Sequence, residues 1–324
     1  MTRGKDRNGG VLGDQVDMLG IKQPGVHTLF DAHQLTHEGS WGDQTEPAGQ
    51  QVYTATTGSP TAFSWTAPPT TTVVHVVCVG GGGGGVRNPA GSANGGGGGG
   101  LAWKNNIPVV GGQSYPGVAG GGGARSSNTN IGPASDGDDS YFISPTTVCG
   151  KGGLGGVNSP QTNTAEGGGF TGDGGGEGGT GEYSGPTRRC GGGGGAGGYS
   201  GDGGSATLPD RSAPPGGGGA AGGRGGPGDR GGGGGGVGLL GEGTSGTNPN
   251  GFPGGDGLHG EGGSGGTDGG PNGTSPTNRA NGGLYGGGGA GADRSSEHGD
   301  GGPGAVRIIW GTGRSFPTTL TDDQ

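Results

Sequence analysis

The chain has 324 residues, of which 102 are glycine, 24% are hydrophobic and 13% charged. So little apolar content excludes an ordinary side-chain core, and so little charge sets the chain apart from a typical disordered tail. The formal net charge of −9 argues against general attraction to nucleic-acid phosphates. The triplets Arg224-Gly225-Gly226 and Arg230-Gly231-Gly232 are therefore read as a product of glycine density, not as an RNA-binding repeat.

Residues 1–48 differ in character from the rest. No apolar stretch follows Met1-Thr2-Arg3, and the longest apolar runs of the chain are far too short to span a bilayer, so neither a signal peptide nor membrane insertion is expected. Leu29 to Leu35, with Thr28 as N-cap, predicts a short helix ending at Gly39. The segment is too short to bury a core alone and reads as a docking or adaptor piece, with Leu19, Ile21, Leu29, Phe30 and Leu35 as its candidate contact residues. His33 and His37 are four apart, as in two-histidine metal sites, but Gln34 stands where the catalytic form needs Glu, and a solvated or capping pair is the simpler reading.

From residue 49 to 317 the pattern is that of a β-frame enclosing glycine. Strands are expected at 51–55, 62–66, 73–79, 101–104, 107–110 and 140–143, with Pro68-Pro69 as a turn, and a last strand at 305–310. The run Val73 to Val79 leads directly into Gly80, and Ala305 to Trp310 follows the last glycine block. This bracketing argues for one folded domain over the low-complexity reading that Gly and Pro invite. Collagen needs glycine strictly at every third position, and blocks such as 191–195 break that register. The alternative is polyglycine II, a three-residue-per-turn helix whose amides point sideways and can bond only to neighbouring helices. Ordering each residue costs about 1 to 2 kcal/mol of backbone entropy against about 0.5 to 1.5 kcal/mol per net hydrogen bond, so such a lattice needs nearly complete pairing and strands to hold its ends.

The blocks alternate with segments rich in Pro, Asn, Asp, Ser and Arg at 158–166, 182–190, 206–215, 244–253 and 271–281. These are expected to reverse direction between lattice helices and to collect at the two ends of the bundle. Their candidate recognition residues are Tyr183, Arg188, Arg189, Arg211, Asn248, Asn250, Phe252, Asn278 and Arg279. Tyr199 and Tyr285 suit either a binding surface or the cover of a lattice edge.

No chemistry-bearing constellation stands out. Matches to G-x-G-x-x-G follow from glycine density, Gly150-Lys151 lacks the next Ser or Thr of a P-loop, and Gly254 to His259 resembles a calcium nonapeptide with His259 where aspartate belongs. Cys78, Cys149 and Cys190 are an odd set without C-x-x-C spacing and are expected as small buried residues, with no cofactor and no metal. The chain is expected not to be an enzyme.

Phe63-Ser64-Trp65-Thr66-Ala67-Pro68, then Val73 to Val79 and a glycine block, resembles the opening of the glycine-rich domain of bacteriophage structural and tail-fibre proteins. Gly304 to Gly311 with Arg314-Ser315-Phe316-Pro317 is similar to the ending seen in virion proteins of marine phages, cyanophages in particular. The resemblance implies a mainly β and irregular fold, a sandwich-like antiparallel frame closing a polyglycine II bundle; beyond it, residues 318–324 read as an acidic C-terminal tail. It implies a virion component assembled in the host cytoplasm, with other virion proteins as partners and a homo-trimer as one assembly. Bundles resembling this one occur in phage adhesins, so the loops would contact a host surface glycan or protein. The alternative is a capsid decoration or capsid-fibre protein without a receptor role.

Overall fold

The computed structural model describes residues 17–18, 21–22, 48–88, 93–127, 133–157, 165–182, 190–206, 215–223, 231–247, 258–271, 279–292 and 298–318. The chain divides into two compact units, Met1–Pro47 and Ala48–Gln324. In the first unit β1 (Asp17–Met18) pairs antiparallel with β2 (Ile21–Lys22), Met18 opposite Ile21. The helix expected at 28–39 and the histidine pair within it lie outside the described residues.

In the second unit the β-branched and aromatic runs form strands. They are β3 (Gly49–Thr54), β4 (Thr61–Thr66), β5 (Val73–Val79), β6 (Leu101–Pro108), β7 (Ser114–Ala119), β8 (Ser140–Phe142), β9 (Val148–Gly150), β10 (Phe170–Thr171), β11 (Gly174–Gly176) and β12 (Ala305–Trp310). Two five-stranded sheets result, ordered β10-β9-β8-β7-β4 and β11-β6-β5-β12-β3, with every neighbouring pair antiparallel. No helix occurs among the described residues, and none is long and apolar enough to cross a membrane. Residues 101–104 and 107–110, expected as two strands, are joined in the single strand β6, which ends at Pro108 and has a register shift opposite Val74 and Val76. Asn106 absorbs that irregularity at φ 55, a left-handed conformation that Asn tolerates better than most residues.

Both faces of β5 are buried, which is why it reads as continuous Val instead of an alternation. One face joins Trp65, Phe142, Val148 and Ile308 with Val74, Val76 and Cys78, so residues of both sheets share one apolar cluster. The other face, Val77 and Val79, packs with Leu101, Ile309, Tyr199, Val237, Leu239 and Phe316. The sheet of β5 thus carries a conventional core on one side and the base of the glycine region on the other.

Apart from β11, the glycine runs are neither helix nor strand. They are straight threads whose amides change partner residue by residue with a period of three. Along residues 80–86, Gly80, Gly83 and Val86 donate to Gly100, Gly97 and Asn94; Gly81 and Gly84 donate to Asp138 and Ser135; Gly82 and Gly85 donate to Gly302 and Gly299, all at 2.8 to 3.0 Å. The carbonyls follow the same rule. Those of Gly81 and Gly84 accept from Gly153 and Gly156, those of Gly82 and Gly85 from Gly123 and Ser126, and those of Gly83 and Val86 from Gly289 and Ala292. This one thread therefore bonds to six others, three as donor and three as acceptor. Residues 95–100 repeat the period, donating in turn toward 179–182, 286–289 and 151–154.

Such proximity leaves no room for a side chain. A Cβ added at any of Gly80 to Gly85 would lie 2.0 to 2.4 Å from a carbonyl oxygen of a neighbouring thread. At Gly169 nothing lies within 4 Å, and no positive φ demands glycine there. Gly83→Ala, whose methyl would meet the Leu154 carbonyl at 2.0 Å, is expected to lower stability by about 3 kcal/mol or more. Gly169→Ala is expected to be neutral or to stabilise by up to about 1 kcal/mol through the unfolded chain. Thermal unfolding of the two variants side by side checks the pair.

Candidate functional site

The two ends of the thread array are built differently. Next to the sheets, threads reverse in tight turns at Tyr199–Gly201, Leu239–Gly241, Ser264–Gly265 and Leu284–Gly286, and in the last three positive φ at Gly241 (104), Ser264 (47), Gly265 (79) and Gly286 (81) makes the reversal. At the far end, residues that border the longer connections bond to one another. Val86 joins Asn94 and Ala292, Gly85 joins Ser126 and Gly299, Gly191 joins Ala93 and Gly291, Gly95 joins Glu182, and Gly231 joins Gly291. The flanks of 89–92, 128–132, 183–189, 224–230 and 293–297 therefore lie together, away from the sheets. Of the loops expected to gather at the two ends, 182–190 has its flanks at this far end, whereas Gly216, after 207–214, donates to the Asp202 carbonyl beside the Tyr199–Gly201 turn.

Of the candidate recognition residues, Tyr183, Arg188, Arg189, Arg211, Asn248, Asn250, Phe252 and Asn278 lie outside the described residues. Arg279 is half-buried at the start of thread 279–283. Of the candidate docking residues, Ile21 lies on β2, and Leu19, Leu29, Phe30 and Leu35 are outside the described residues. Tyr199 belongs to the core. It is fully buried and stacked on Phe316, its hydroxyl donates to the Gly238 carbonyl at 3.1 Å and accepts from the Gly241 amide at 3.2 Å, and burial pushes the phenol pKa up. Tyr285 packs half-buried against the same cluster.

The sequence reasoning missed the role of the acidic residues. Where a peripheral thread has no further thread outside it, a short polar side chain supplies the missing acceptor. Asp136 takes the Gly155 amide at 2.7 Å, Asp139 that of Gly152, Asp202 that of Glu177, Asp268 that of Gly262 and Asp300 that of Arg125, each at 2.9 Å. Ser205 and Asn281 do the same for Thr180 and Asp300. A carboxylate is a strong acceptor for a backbone N–H, so the surplus acid stands in for carbonyls at the lattice edge. A spacing signal was present for three of them: Asp202, Asp268 and Asp300 each stand directly before a glycine pair, where a thread continues.

Asp173 performs this task for the β-frame. Its carboxylate accepts from the Asn105 amide at 2.9 Å and from Lys104 Nζ at 3.0 Å, tying the turn before β11 to β6. The Asn105 amide first, and Lys104 second, hold its pKa below the usual 3.8.

Buried thiols complete the inventory. Cys78, Cys149 and Cys190 are all free and buried; burial, then the charge of Asp139, pushes Cys149 up to about 12. Among the described residues no group of three His, Cys, Asp or Glu could hold a metal ion, and His259 instead faces Asp268 at 3.8 Å. One cavity of about 330 Å³ opens beside the tight turns, lined among others by Gln50, Val52, Leu240, Thr267, Leu284 and Arg307.

Two outcomes test the edge rule. Asp136→Ala should lower stability by about 1 kcal/mol and raise the hydrogen-exchange rate of the Gly155 amide, whereas Asp136→Asn, which keeps an acceptor oxygen, should recover most of the protection. For Asp173 the folded-state pKa is depressed, so its contribution is present above the ordinary aspartate value and lost as pH falls through the lowered one. Melting temperatures of Asp173→Asn should lie below those of the parent near neutrality and converge with them at strongly acidic pH.

No curated protein matches the chain at a significant level. The family described as glycine-rich domain matches residues 56–311, from the loop after β3 to the end of β12. That match covers most of the chain and every strand of the two sheets except β3, and the protein belongs to this glycine-rich domain family.

Proposed function

We propose that the protein is a non-enzymatic structural component of a bacteriophage virion, of tail-fibre or adhesin type, in which the thread array is a polyglycine II bundle. In this reading the two sheets close the bundle as a sandwich-like frame, and the bundle is a stiff spacer that carries loops toward the host surface. The observation that carries it is the difference between the ends: tight turns against the sheets, and the flanks of 89–92, 128–132, 183–189, 224–230 and 293–297 together at the far end. The three-residue alternation of amide partners supports the polyglycine II assignment. So does the absence of positive φ from residues 80–85, 95–100 and 231–236. The motifs Phe63 to Pro68 and Gly304 to Gly311 support the phage setting by resemblance.

Residues 1–47 are then the attachment to the particle. Particles carrying a chain without them are expected to lose the protein, while residues 48–324 keep their melting temperature in isolation. Replacing 248–257 by a short glycine linker is expected to lower host adsorption by at least about ten-fold with normal particle assembly, a change of about 1.4 kcal/mol in binding. Unchanged adsorption with this loop, and with 183–189 and 272–278 likewise replaced, would instead identify a decoration or capsid-fibre protein.

A further inference from the structure

Asp136, Asp202, Asp268, Asn281 and Asp300 each stand directly before a glycine, and all five bond to the backbone of a neighbouring thread. Such a pair is chemically vulnerable. The backbone nitrogen of the glycine can attack the side-chain carbonyl carbon of the Asp or Asn before it, and no Cβ on the glycine hinders the approach. The new N–C bond closes a succinimide ring; the amide proton goes to solvent, and the side chain loses water from Asp or ammonia from Asn. Water then opens the ring at either carbonyl, and one of the two openings leaves isoaspartate, in which the main chain runs through the side-chain carbon. Asp136, Asp202, Asp268 and Asn281 are exposed and Asp300 is half-buried, so exclusion of water does not protect them.

Geometry does, because one neighbouring thread holds each pair at two points. The side-chain oxygen accepts a backbone N–H of that thread, and the amide of the following glycine donates to a carbonyl of the same thread. Asp202 accepts from the Glu177 amide at 2.9 Å while Gly203 donates to the Glu177 carbonyl at 2.8 Å. Asn281 accepts from the Asp300 amide and Gly282 donates to the Asp300 carbonyl, both at 2.9 Å. In the other three pairs the contacts are offset along the thread. Asp136 accepts from Gly155 at 2.7 Å and Gly137 donates to Gly153 at 2.8 Å. Asp268 accepts from Gly262 and Gly269 donates to Gly260; Asp300 accepts from Arg125 and Gly301 donates to Gly123; each of these is 2.9 Å. The attacking nitrogen thus has its proton committed to a carbonyl, and the group it would attack is held by a different amide. Ring closure requires both bonds to break.

We propose that these five pairs are latent isoaspartate sites that the two-point clamp keeps unreactive, each isomerising only through opening of its own clamp. Folding then halts a reaction that runs in the unfolded chain. The consequence is one-way: isoaspartate adds a carbon to the main chain, so amides beyond it lose the three-residue phase by which each meets its acceptor. A chain modified before folding cannot rebuild the array. The inference rests on the clamp geometry alone and is independent of the virion reading.

Incubating the full chain near neutral pH in heavy-oxygen water, folded and in guanidinium, tests this, since hydrolysis of each succinimide leaves a heavy oxygen that peptide mass spectrometry locates. Modification should be at least about a hundred-fold slower in the folded chain, and at each pair the ratio of folded to unfolded rates should match the opening constant from hydrogen exchange of its own glycine amide. Chains aged in guanidinium should lose the ability to refold in step with their isoaspartate content. Glu177→Pro removes the amide that Asp202 accepts and keeps the Glu177 carbonyl; it should speed modification at Asp202 at least about ten-fold and leave the other four pairs unchanged. If that variant does not fold, the ratios at the five parent pairs decide. Comparable rates in the folded and unfolded chain overturn the proposal, as does an absence of modification in guanidinium. So does an unchanged Asp202 rate in folded Glu177→Pro, or rates that do not follow exchange of the glycine amides, either of which assigns the protection to something other than the clamp.

Discussion

Every level of this structure follows from one contact: a backbone amide of one thread bonded to the carbonyl of the next at a separation that admits no Cβ. In an ordinary domain the hydrophobic effect does most of the work and amides are satisfied within elements. Here the ratio is inverted. A net hydrogen bond contributes only about 0.5 to 1.5 kcal/mol, so an array of this kind is stable only when almost every donor finds an acceptor. The period-three alternation along residues 80–86 meets that demand, because each amide in turn faces a different neighbour. Alanine is also admitted fully buried within the array, at Ala196, Ala220 and Ala290.

An array with such strict accounting has two vulnerable boundaries, its sides and its ends. The sides are closed by Asp136, Asp139, Asp202, Asp268 and Asp300, whose carboxylates replace absent carbonyls. The net charge of −9 is therefore read as lattice chemistry before it is read as a clue to partners. The base is closed by a sheet with two buried faces, one packed in a conventional aromatic and aliphatic core around Trp65 and Phe142, the other against Tyr199, Val237 and Leu239 of the turns. The apolar residues, scarce in the chain as a whole, are concentrated at this junction.

What could be read from the residues was whatever obeyed ordinary side-chain physics. The strands at Val73–Val79 and Ala305–Trp310 were legible to the residue, since β-branched runs bounded by glycine have few other uses. Strand β7 was not, because Pro116 and Gly117 interrupt its pattern; there the ring of Phe63 covers Gly117, with its Cζ 2.2 Å from where a Cβ would stand. Strand β11 consists of three glycines and exists through pairing with β6 and the cover of Trp103 over Gly174. Backbone pairing between glycine threads could be argued from composition, but not which thread bonds to which, since Gly80 to Gly85 carry no information that tells one neighbour from another. The cavity was illegible for a related reason: Gln50, Leu240, Thr267, Leu284 and Arg307 meet only once the threads are in place.

The asymmetry of the two ends has a thermodynamic logic that bears on what such a scaffold can become. At the base, each reversal must fit under a sheet, and a longer turn would displace Leu239 or Tyr285 from the apolar cluster. At the far end, lengthening a connection costs only the entropy of closing a larger loop, about 0.6 kcal/mol for each doubling. Sequence in the far-end connections is thus nearly free to vary, whereas each thread beneath them is held to glycine by carbonyls about 2 Å from the Cβ position. A fold that separates these constraints so sharply can change what it presents without changing what holds it together. That separation arises here from backbone hydrogen bonding in place of a large side-chain core.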